Sequence, residues 1–526
     1  MTANISVDKT WDVVIIGAGM GGAAAAYALT HQGQEVLLIE KGKEDIQNSC
    51  KENATKQFED PVVRIEQAQW PTKLQIALNG RTSLFWPSLG CGVGGSTLLY
   101  AATLGRLEPI DFKARVTPYG EKIDWPIDYK DLEPYYLKVE ELFSVCGTVD
   151  PRDSYSAYKL MPPPTMSESD QQLYTSMQQA NFNPYRIHAG VEYRNDCEEC
   201  AGYICRYACK HDARNSFIYP AKTTNNLTIL SETEVVKLIA EKEKISAIEI
   251  KCQNETKFIR AKYVILAAGS LFTPMLLQKS TSTHWPSGIG NNHGLVGRNL
   301  MFHATDYIAV WPKGNPSREG PLRSFSMRDF YEYEGQRYGE FQTMGLTAGY
   351  GNIMQFLKLK FDQSILRKFQ FLKPLLAIPA KLASWIFNDA TVFSAIVEDN
   401  PYPDNYVKYE AQAPSQITIN YTIKPELETR VKKFRKLVKT SLKGYLLVAI
   451  NDEVTLNYGH PCGTCRSGND PDTSVVDKNC KVHGVENLYI TDGSFMPTSG
   501  GTNPSLTIAA NALRVAEKIN KRLLHP

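Results

Sequence analysis

The sequence predicts an α/β fold: a Rossmann-like, dinucleotide-binding sheet whose chain is interrupted by two long inserts. Three observations predict it. The chain opens on an apolar strand, a glycine turn and an alanine-rich helix start, Trp11-Asp-Val-Val-Ile-Ile-Gly17-Ala-Gly19-Met-Gly-Gly22, with Glu40 ending the next apolar run. A second apolar run, Tyr263 to Leu266, leads through Ala267 and Ala268 into a glycine turn at Gly269. A third, Leu488 to Ile490, precedes Asp492-Gly493 and a long helical pattern from Asn503 to Leu524. Unbroken apolar strands suit a parallel sheet covered on both faces.

The first unit predicts a ligand. Gly17 allows the tight turn, Gly19 lets the backbone approach a pyrophosphate, and Gly22 lets the helix pack on the strand. The helix N-terminus offers unpaired N–H groups and a positive dipole end to the anion. Glu40 is placed to accept from ribose hydroxyls, and its charge disfavours a 2′-phosphate, so NADP is not the expected tightly held ligand. A second glycine stretch, Gly90-Cys-Gly92-Val-Gly94-Gly95-Ser96 and on to Tyr100, is too glycine-rich for a helix or strand and brings amides close to something flat or anionic.

The 526 residues exceed one simple core, so two domains or one elaborated fold are expected. A net charge of +2 gives no global field for nucleic acid, so none is expected as a partner. The start, Met1-Thr-Ala-Asn-Ile-Ser-Val-Asp, lacks the pattern of a signal peptide, and no apolar run is long enough to span a bilayer. Eleven cysteines in such a chain are expected to be reduced, which points to the cytoplasm.

Along the chain, residues 1–106 read as a first nucleotide-binding segment and 107–214 as an aromatic, proline-rich insert with a helix near Asp131 to Val145. Short strands follow at Leu227-Thr-Ile-Leu, around Val235, and at Ile245 to Lys251, so the nucleotide domain resumes over 215–303. Residues 304–454 lose the pattern again. They carry aromatic strands, a cationic apolar stretch at 355–388, and an amphipathic helix from Pro425 to Leu442. Residues 455–526 return to the nucleotide domain.

The C-terminal segment decides a resemblance. Gly459-His460-Pro-Cys462-Gly-Thr-Cys465-Arg-Ser-Gly, Asp492-Gly493-Ser-Phe-Met-Pro and Thr502-Asn503-Pro504-Ser, together with both glycine stretches and Gly297-Arg-Asn-Leu, closely resemble the glucose–methanol–choline (GMC) oxidoreductases. The motif style is nearest to the cholesterol-oxidase and long-chain-alcohol-oxidase types. The resemblance implies bound FAD and an interleaved α+β substrate domain built on an antiparallel sheet. It places His460 at the family's active-site histidine and Asn503 at the partner position. It also places Asp492 and Gly493 by the ribityl chain and pyrimidine edge, Val235 by the adenine, and Gly92, Gly94, Gly95 and Ser96 over the flavin and pyrophosphate. Ala268, Gly269 and Pro504 fall in the remaining cofactor-binding stretches. Tyr100 departs from the family, where many members have Asn near the flavin's reactive edge. The loop Ser96 to Leu99 holds no histidine for a covalent flavin link.

The chemistry this implies is oxidation of an alcohol, with hydride moving to flavin N5 and a proton leaving the hydroxyl. An imidazole can take that proton, and an Asn amide can only orient the oxygen. His460 is therefore assigned as proton acceptor and Asn503 as orienting donor; a histidine already protonated would instead stabilise an alkoxide. His293, His303 and His483 read as structural. The reoxidant is oxygen or a quinone-type carrier. A flavin-dependent lyase or light-driven fatty-acid decarboxylase on the same fold, and a non-catalytic flavin-binding protein at a membrane, are the alternative readings.

Two further features stand out. Cys197, Cys200, Cys205 and Cys209 have thiol spacing that zinc or an iron–sulfur cluster can use, although it matches neither the usual zinc pairs nor ferredoxin runs, and packed thiols are the expectation. The stretch 355–388 interleaves Lys and Arg with large apolar residues, as an interfacial segment or a lid over the substrate cavity would. Both readings favour an apolar substrate such as a lipid, sterol or terpenoid alcohol.

Overall fold

The computed structural model describes residues 9–46, 58–153, 156–252, 255–345, 350–451 and 453–525. The start, Met1 to Asp8, on which the leader expectation rested, lies outside them. So do several side chains of the cationic stretch: Phe356, Lys360, Asp362, Ile365 and Arg367.

Two sheets organise the chain. In the first, β1 (Thr10–Ile16) lies between β2 (Val36–Ile39) and the strand Glu255–Leu266, both parallel to it. Leu227–Leu230 adds to the far side of β2, and Leu488–Ile490 pairs with the last residues of Glu255–Leu266, again parallel. Three sequence-distant pieces thus build one mixed sheet, parallel through these five strands and extended antiparallel beyond Glu255–Leu266 by Lys244–Cys252 and Thr233–Glu241. Val13, Val14 and Ile15 are fully buried, as strands covered on both faces must be. Helix α1 (Met20–His31) packs on this sheet and on the long C-terminal helix Ser505–Leu524.

The second sheet is antiparallel. Its order is Leu446–Ala449, Met301–Trp311, Thr391–Val397, Phe341–Thr343, Phe325–Met327 and Tyr185–Arg186, and Thr455–Cys462 lies beside the first half of Met301–Trp311. One face is covered by Pro425–Ser441, whose buried Leu427, Val431, Phe434 and Val438 recur at helical spacing. A smaller four-stranded sheet, Tyr406–Tyr409, Ile417–Tyr421, Leu74–Leu78 and Arg81–Phe85, flanks the junction.

The register beside Met301–Trp311 has a consequence for the site. His303 pairs with Asn457, but Met301 pairs with Cys462. Two steps on one strand therefore face five on the other. The four residues Tyr458 to Pro461 face Phe302 alone, bulge from the ladder and carry His460 with them.

Candidate active site

A cavity of about 790 Å³ lies between the two sheets. Its nucleotide side is built by α1. Gly17 has φ of +100°, and a Cβ there would meet Ala267 O at 2.4 Å, so only glycine makes this turn. A Cβ on Gly22 would meet Gly17 O at 1.9 Å, and one on Gly21 would meet Thr491 O at 2.1 Å. These two glycines let the helix start wedge between strand ends. Gly19 differs: nothing lies closer than 3.9 Å to its Cβ position, and it lines the cavity with Met20 and Gly21. No side chain among the described residues caps the helix, which leaves its first amides for an anion.

The structure brings most of the predicted residues together. Gly17, Gly19, Glu40, Gly95, Ser96, Tyr100, Val235, Ala268, Gly269, His460, Asp492, Gly493, Asn503 and Pro504 all line this cavity. Gly22, Gly92 and Gly94 do not. Gly22 serves helix packing. The amide of Gly92 donates to Glu40 Oε1 at 3.1 Å, and that of Gly94 to Ala18 O at 2.9 Å, at φ of +143° and +111°. They shape the second glycine loop from behind.

Several of these side chains have partners the sequence did not disclose. The Glu40 carboxylate accepts from three amides, those of Gly42 (2.8 Å), Ala18 (3.0 Å) and Gly92. It thereby ties both glycine loops together; burial pushes its carboxyl up, while the amides pull the other way. Asp492 accepts from Gly269 N at 2.9 Å, from Ser494 N at 3.0 Å and from the Thr273 hydroxyl. The Tyr100 hydroxyl donates to His211 O at 2.6 Å, so it is already committed. Buried Lys210 reaches the carbonyls of Leu98, Tyr100, Cys200 and Tyr203 at 2.6–3.2 Å and straps the Tyr100 wall to the cysteine loop. In that loop Cys205 and Cys209 sulfurs lie 3.3 Å apart, and a hydrogen bond from Cys200 is the main cause holding the Cys205 thiol below the ordinary thiol range. No group of three His, Cys, Asp or Glu among the described residues is placed to hold a metal ion.

The opposite wall holds His460. His460 Nδ1 lies 2.9 Å from Nδ1 of buried His303. The other His303 nitrogen, Nε2, faces the carbonyls of Ser499 (3.2 Å) and Gly500 (3.0 Å). Two carbonyls accept only from an N–H, so Nε2 of His303 carries its proton and its Nδ1 is an acceptor. His460 must then donate from Nδ1, which leaves Nε2 as its one lone pair. His303, read from sequence as structural, therefore sets the tautomer of His460. Asn457 Nδ2 lies farther off, 3.3 Å from His460 Nδ1, and the Asn457 side-chain oxygen takes the Gly459 amide at 3.0 Å.

Burial holds His460 far below the ordinary histidine range, to about 3, with His303 adding to the effect. The neutral form, which accepts a proton, is lost only as pH falls toward that value. Turnover at saturating acceptor is therefore expected to stay flat from about pH 5 to 8, with no limb near the ordinary histidine pKa of about 6.5. A pH–kcat profile checks this, and a limb near 6.5 contradicts it.

Asn503 Oδ1 accepts from Gln342 Nε2 at 3.3 Å, which leaves the Asn503 amide hydrogens for a substrate oxygen. Gln342 is 6% exposed and lines the cavity, and its Oε1 has no hydrogen-bond partner among the described residues. A buried acceptor left unmade is costly, so this oxygen marks where a ligand donor belongs. Gln342→Met is expected to raise KM for the alcohol by about tenfold, one lost hydrogen bond, without loss of the cofactor. An unchanged KM in steady-state kinetics would remove Gln342 from the substrate site.

Comparison with known proteins agrees with this geometry. Two family models, both described as GMC oxidoreductase, match residues 11–305 and 401–512. The chain belongs to the GMC oxidoreductases. Paromamine 6′-oxidase of Streptomyces fradiae is 27% identical over 97% of this chain and 92% of its own length. The fructose dehydrogenase large subunit of Gluconobacter japonicus is 28% identical, covering 97% of each chain. Among solved structures, the Aspergillus oryzae formate oxidase matches with a TM-score of 0.66 at 16% identity, over 98% of this chain and 99% of that one. A new fungal aryl-alcohol oxidase matches at 0.61 and 16%, over the same shares.

As a GMC oxidoreductase the chain is an FAD-dependent enzyme acting on CH–OH donors. The residues fit that cofactor. The uncapped helix start and the open approach at Gly19 suit a pyrophosphate. Val235 on the strand Thr233–Glu241 and Asp492–Gly493 line the same cavity, whose volume is in the range of a cofactor site.

Proposed function

We propose that this GMC oxidoreductase oxidises the alcohol group of an apolar molecule, a lipid, sterol or terpenoid alcohol, with His460 as proton acceptor and Asn503 as orienting donor. The observation that carries the mechanism is the His303–His460 hydrogen bond, which leaves a single lone pair at His460 Nε2. FAD, held by Gly19, Val235, Asp492 and Gly493, would supply the hydride acceptor here and would be reoxidised by oxygen or a quinone-type carrier. Asn503 Nδ2 holds the substrate oxygen, Gln342 Oε1 accepts from a second donor, and Nε2 receives the hydroxyl proton. Burial opposes a standing imidazolium, so the proton moves as the C–H bond breaks and not beforehand.

The apolar class rests on the wall opposite the glycine loops, where Tyr307, Met344 and Ile396 reach the cavity. The two cations among the described lining residues, Lys41 and Arg64, are engaged: Lys41 pairs with Glu234 at 3.1 Å, and Arg64 donates to Trp70 O at 2.6 Å. Neither is a free anchor for a substrate carboxylate, which favours alcohol oxidation over decarboxylation. In this reading the segments 1–106, 215–303 and 455–526 hold FAD, and 107–214 with 304–454 hold the substrate. The enzyme works at the surface of a membrane, through the segment 355–388. An anaerobic screen of alcohols, following loss of visible flavin absorbance, tests the substrate class. Bleaching by long-chain or sterol alcohols supports it; bleaching by sugars or aminoglycosides alone contradicts it.

A further inference from the structure

The crossover between strands Phe341–Thr343 and Thr391–Val397 is where the fold leaves apolar surface in water. It comprises the helix Tyr350–Gln363, short 3₁₀ turns and the helix Ala377–Phe387. Its root is fixed. Trp311 Nε1 donates to Ile386 O at 3.2 Å and its ring lies 5.3 Å from Phe387, while Arg318 donates to Asn388 O (2.6 Å) and Ala390 O (2.9 Å). Beyond that root, Phe361 and Ala380 alone among the described side chains of 350–387 are buried. Of the helix Ala377–Phe387 only Ala380 is buried. Phe371, Ile378 and Trp385 are 73%, 70% and 77% exposed, and Leu375, Leu382 and Ile386 are also exposed.

The exposed residues are ordered. Ile378, Leu382, Trp385 and Ile386 stand at i, i+4, i+7 and i+8, one stripe of an amphipathic helix, and this stripe faces solvent instead of a core. An ordered apolar patch this contiguous marks an interaction site. The charge pattern selects the partner. Between residues 363 and 388 the sequence has Arg367, Lys368, Lys373 and Lys381 and no Asp or Glu, in a chain whose total is only +2. Basic side chains set among apolar ones can place their stems along acyl chains and their charges at lipid phosphates. The 11-residue helix is about 16 Å long, roughly half a bilayer core, and no described helix is long and apolar enough to cross a membrane. It can lie in the interface plane and cannot span it.

We propose that the segment 364–387 docks the enzyme on an anionic lipid bilayer. The two strands it joins also supply the substrate wall: Gln342 and Met344 before it, Ser394 and Ile396 after it. Docking therefore sets the substrate half of the cavity next to the lipid. That second consequence rests on the apolar-alcohol reading above; the docking itself does not.

Vesicle co-sedimentation of the FAD-loaded protein tests it, with pure phosphatidylcholine against phosphatidylcholine containing phosphatidylglycerol. The wild type is expected to sediment with the anionic vesicles, less so at high salt, and the Ile378→Ser/Trp385→Ser double variant to bind about tenfold more weakly. Both positions are exposed, so the variant should keep its flavin absorbance and its rate on a short, water-soluble alcohol. Wild type that stays in the supernatant, or a variant that sediments equally, overturns the proposal. So does a wild-type dimer in gel filtration that the variant abolishes while neither form binds vesicles, because the patch then seats a second copy of this chain. Vesicle binding by a protein that bleaches with no apolar alcohol upholds docking and rejects the substrate reading.

Discussion

His460→Ala is expected to retain FAD and to lose turnover on the order of a thousandfold. His460 is the one imidazole among the described residues lining the cavity, and its Nε2 is the lone pair left after the Nδ1–H is given to His303. None of the described hydrogen bonds of the glycine loops runs through it: Glu40 takes the amides of Ala18, Gly42 and Gly92, and Asp492 takes that of Gly269. Cofactor retention and turnover should therefore separate cleanly. Visible absorbance per protein and kcat are the two readings. Near wild-type kcat would remove His460 from proton transfer, and partial recovery with added imidazole would strengthen its assignment.

The second large effect is expected at a residue that does not line the cavity. His303→Ala should lower kcat by roughly a hundredfold and leave KM within a fewfold, with FAD still bound. The alanine leaves the Nδ1–H of His460 buried and without its acceptor, so the ring is free to carry its proton on Nε2, the tautomer that cannot accept. A purely structural role would be moved equally by any replacement. A positioning role would not: His303→Asn keeps an acceptor near the lost Nδ1 and should recover part of kcat. Equal loss in both variants, with thermal stability reduced alike, would contradict the tautomer argument.

How much of this was legible in the sequence depended on distance along the chain. The turn at Gly17, the wedge at Gly22 and the runs of β1 and β2 are local, so backbone sterics and apolar patterning reveal them. His460 and Asn503 sit in motifs whose neighbours are also constrained, and both come to line the cavity. The helix read as Pro425 to Leu442 was found as Pro425–Ser441. His303 was not readable: its partner lies 157 residues away, across a strand pair whose bulge no composition signals. Gln342 meets Asn503 across 161 residues, and its meaning lies in an oxygen with no partner, a property of the assembled cavity. The dense glycines from Gly90 to Gly95 showed that backbones approach closely there, but not on which face. Gly95 turned out to line the cavity, with Gly92 and Gly94 serving the loop behind it. Glu40 shows the same limit. Its position at the end of β2 was plain, while its three amide partners depend on two loops meeting in space.

In the proposed mechanism His460 takes the hydroxyl proton as the C–H bond of an apolar alcohol breaks. Anaerobic stopped-flow mixing of the FAD-loaded enzyme with a long-chain alcohol tests it most directly, using the carbinol in protiated and deuterated form in H₂O and D₂O. One aldehyde or ketone per flavin is expected, with bleaching slowed by both isotopic substitutions in the same phase. Absence of bleaching with any apolar alcohol, or a solvent isotope effect confined to a separate earlier phase, would contradict it.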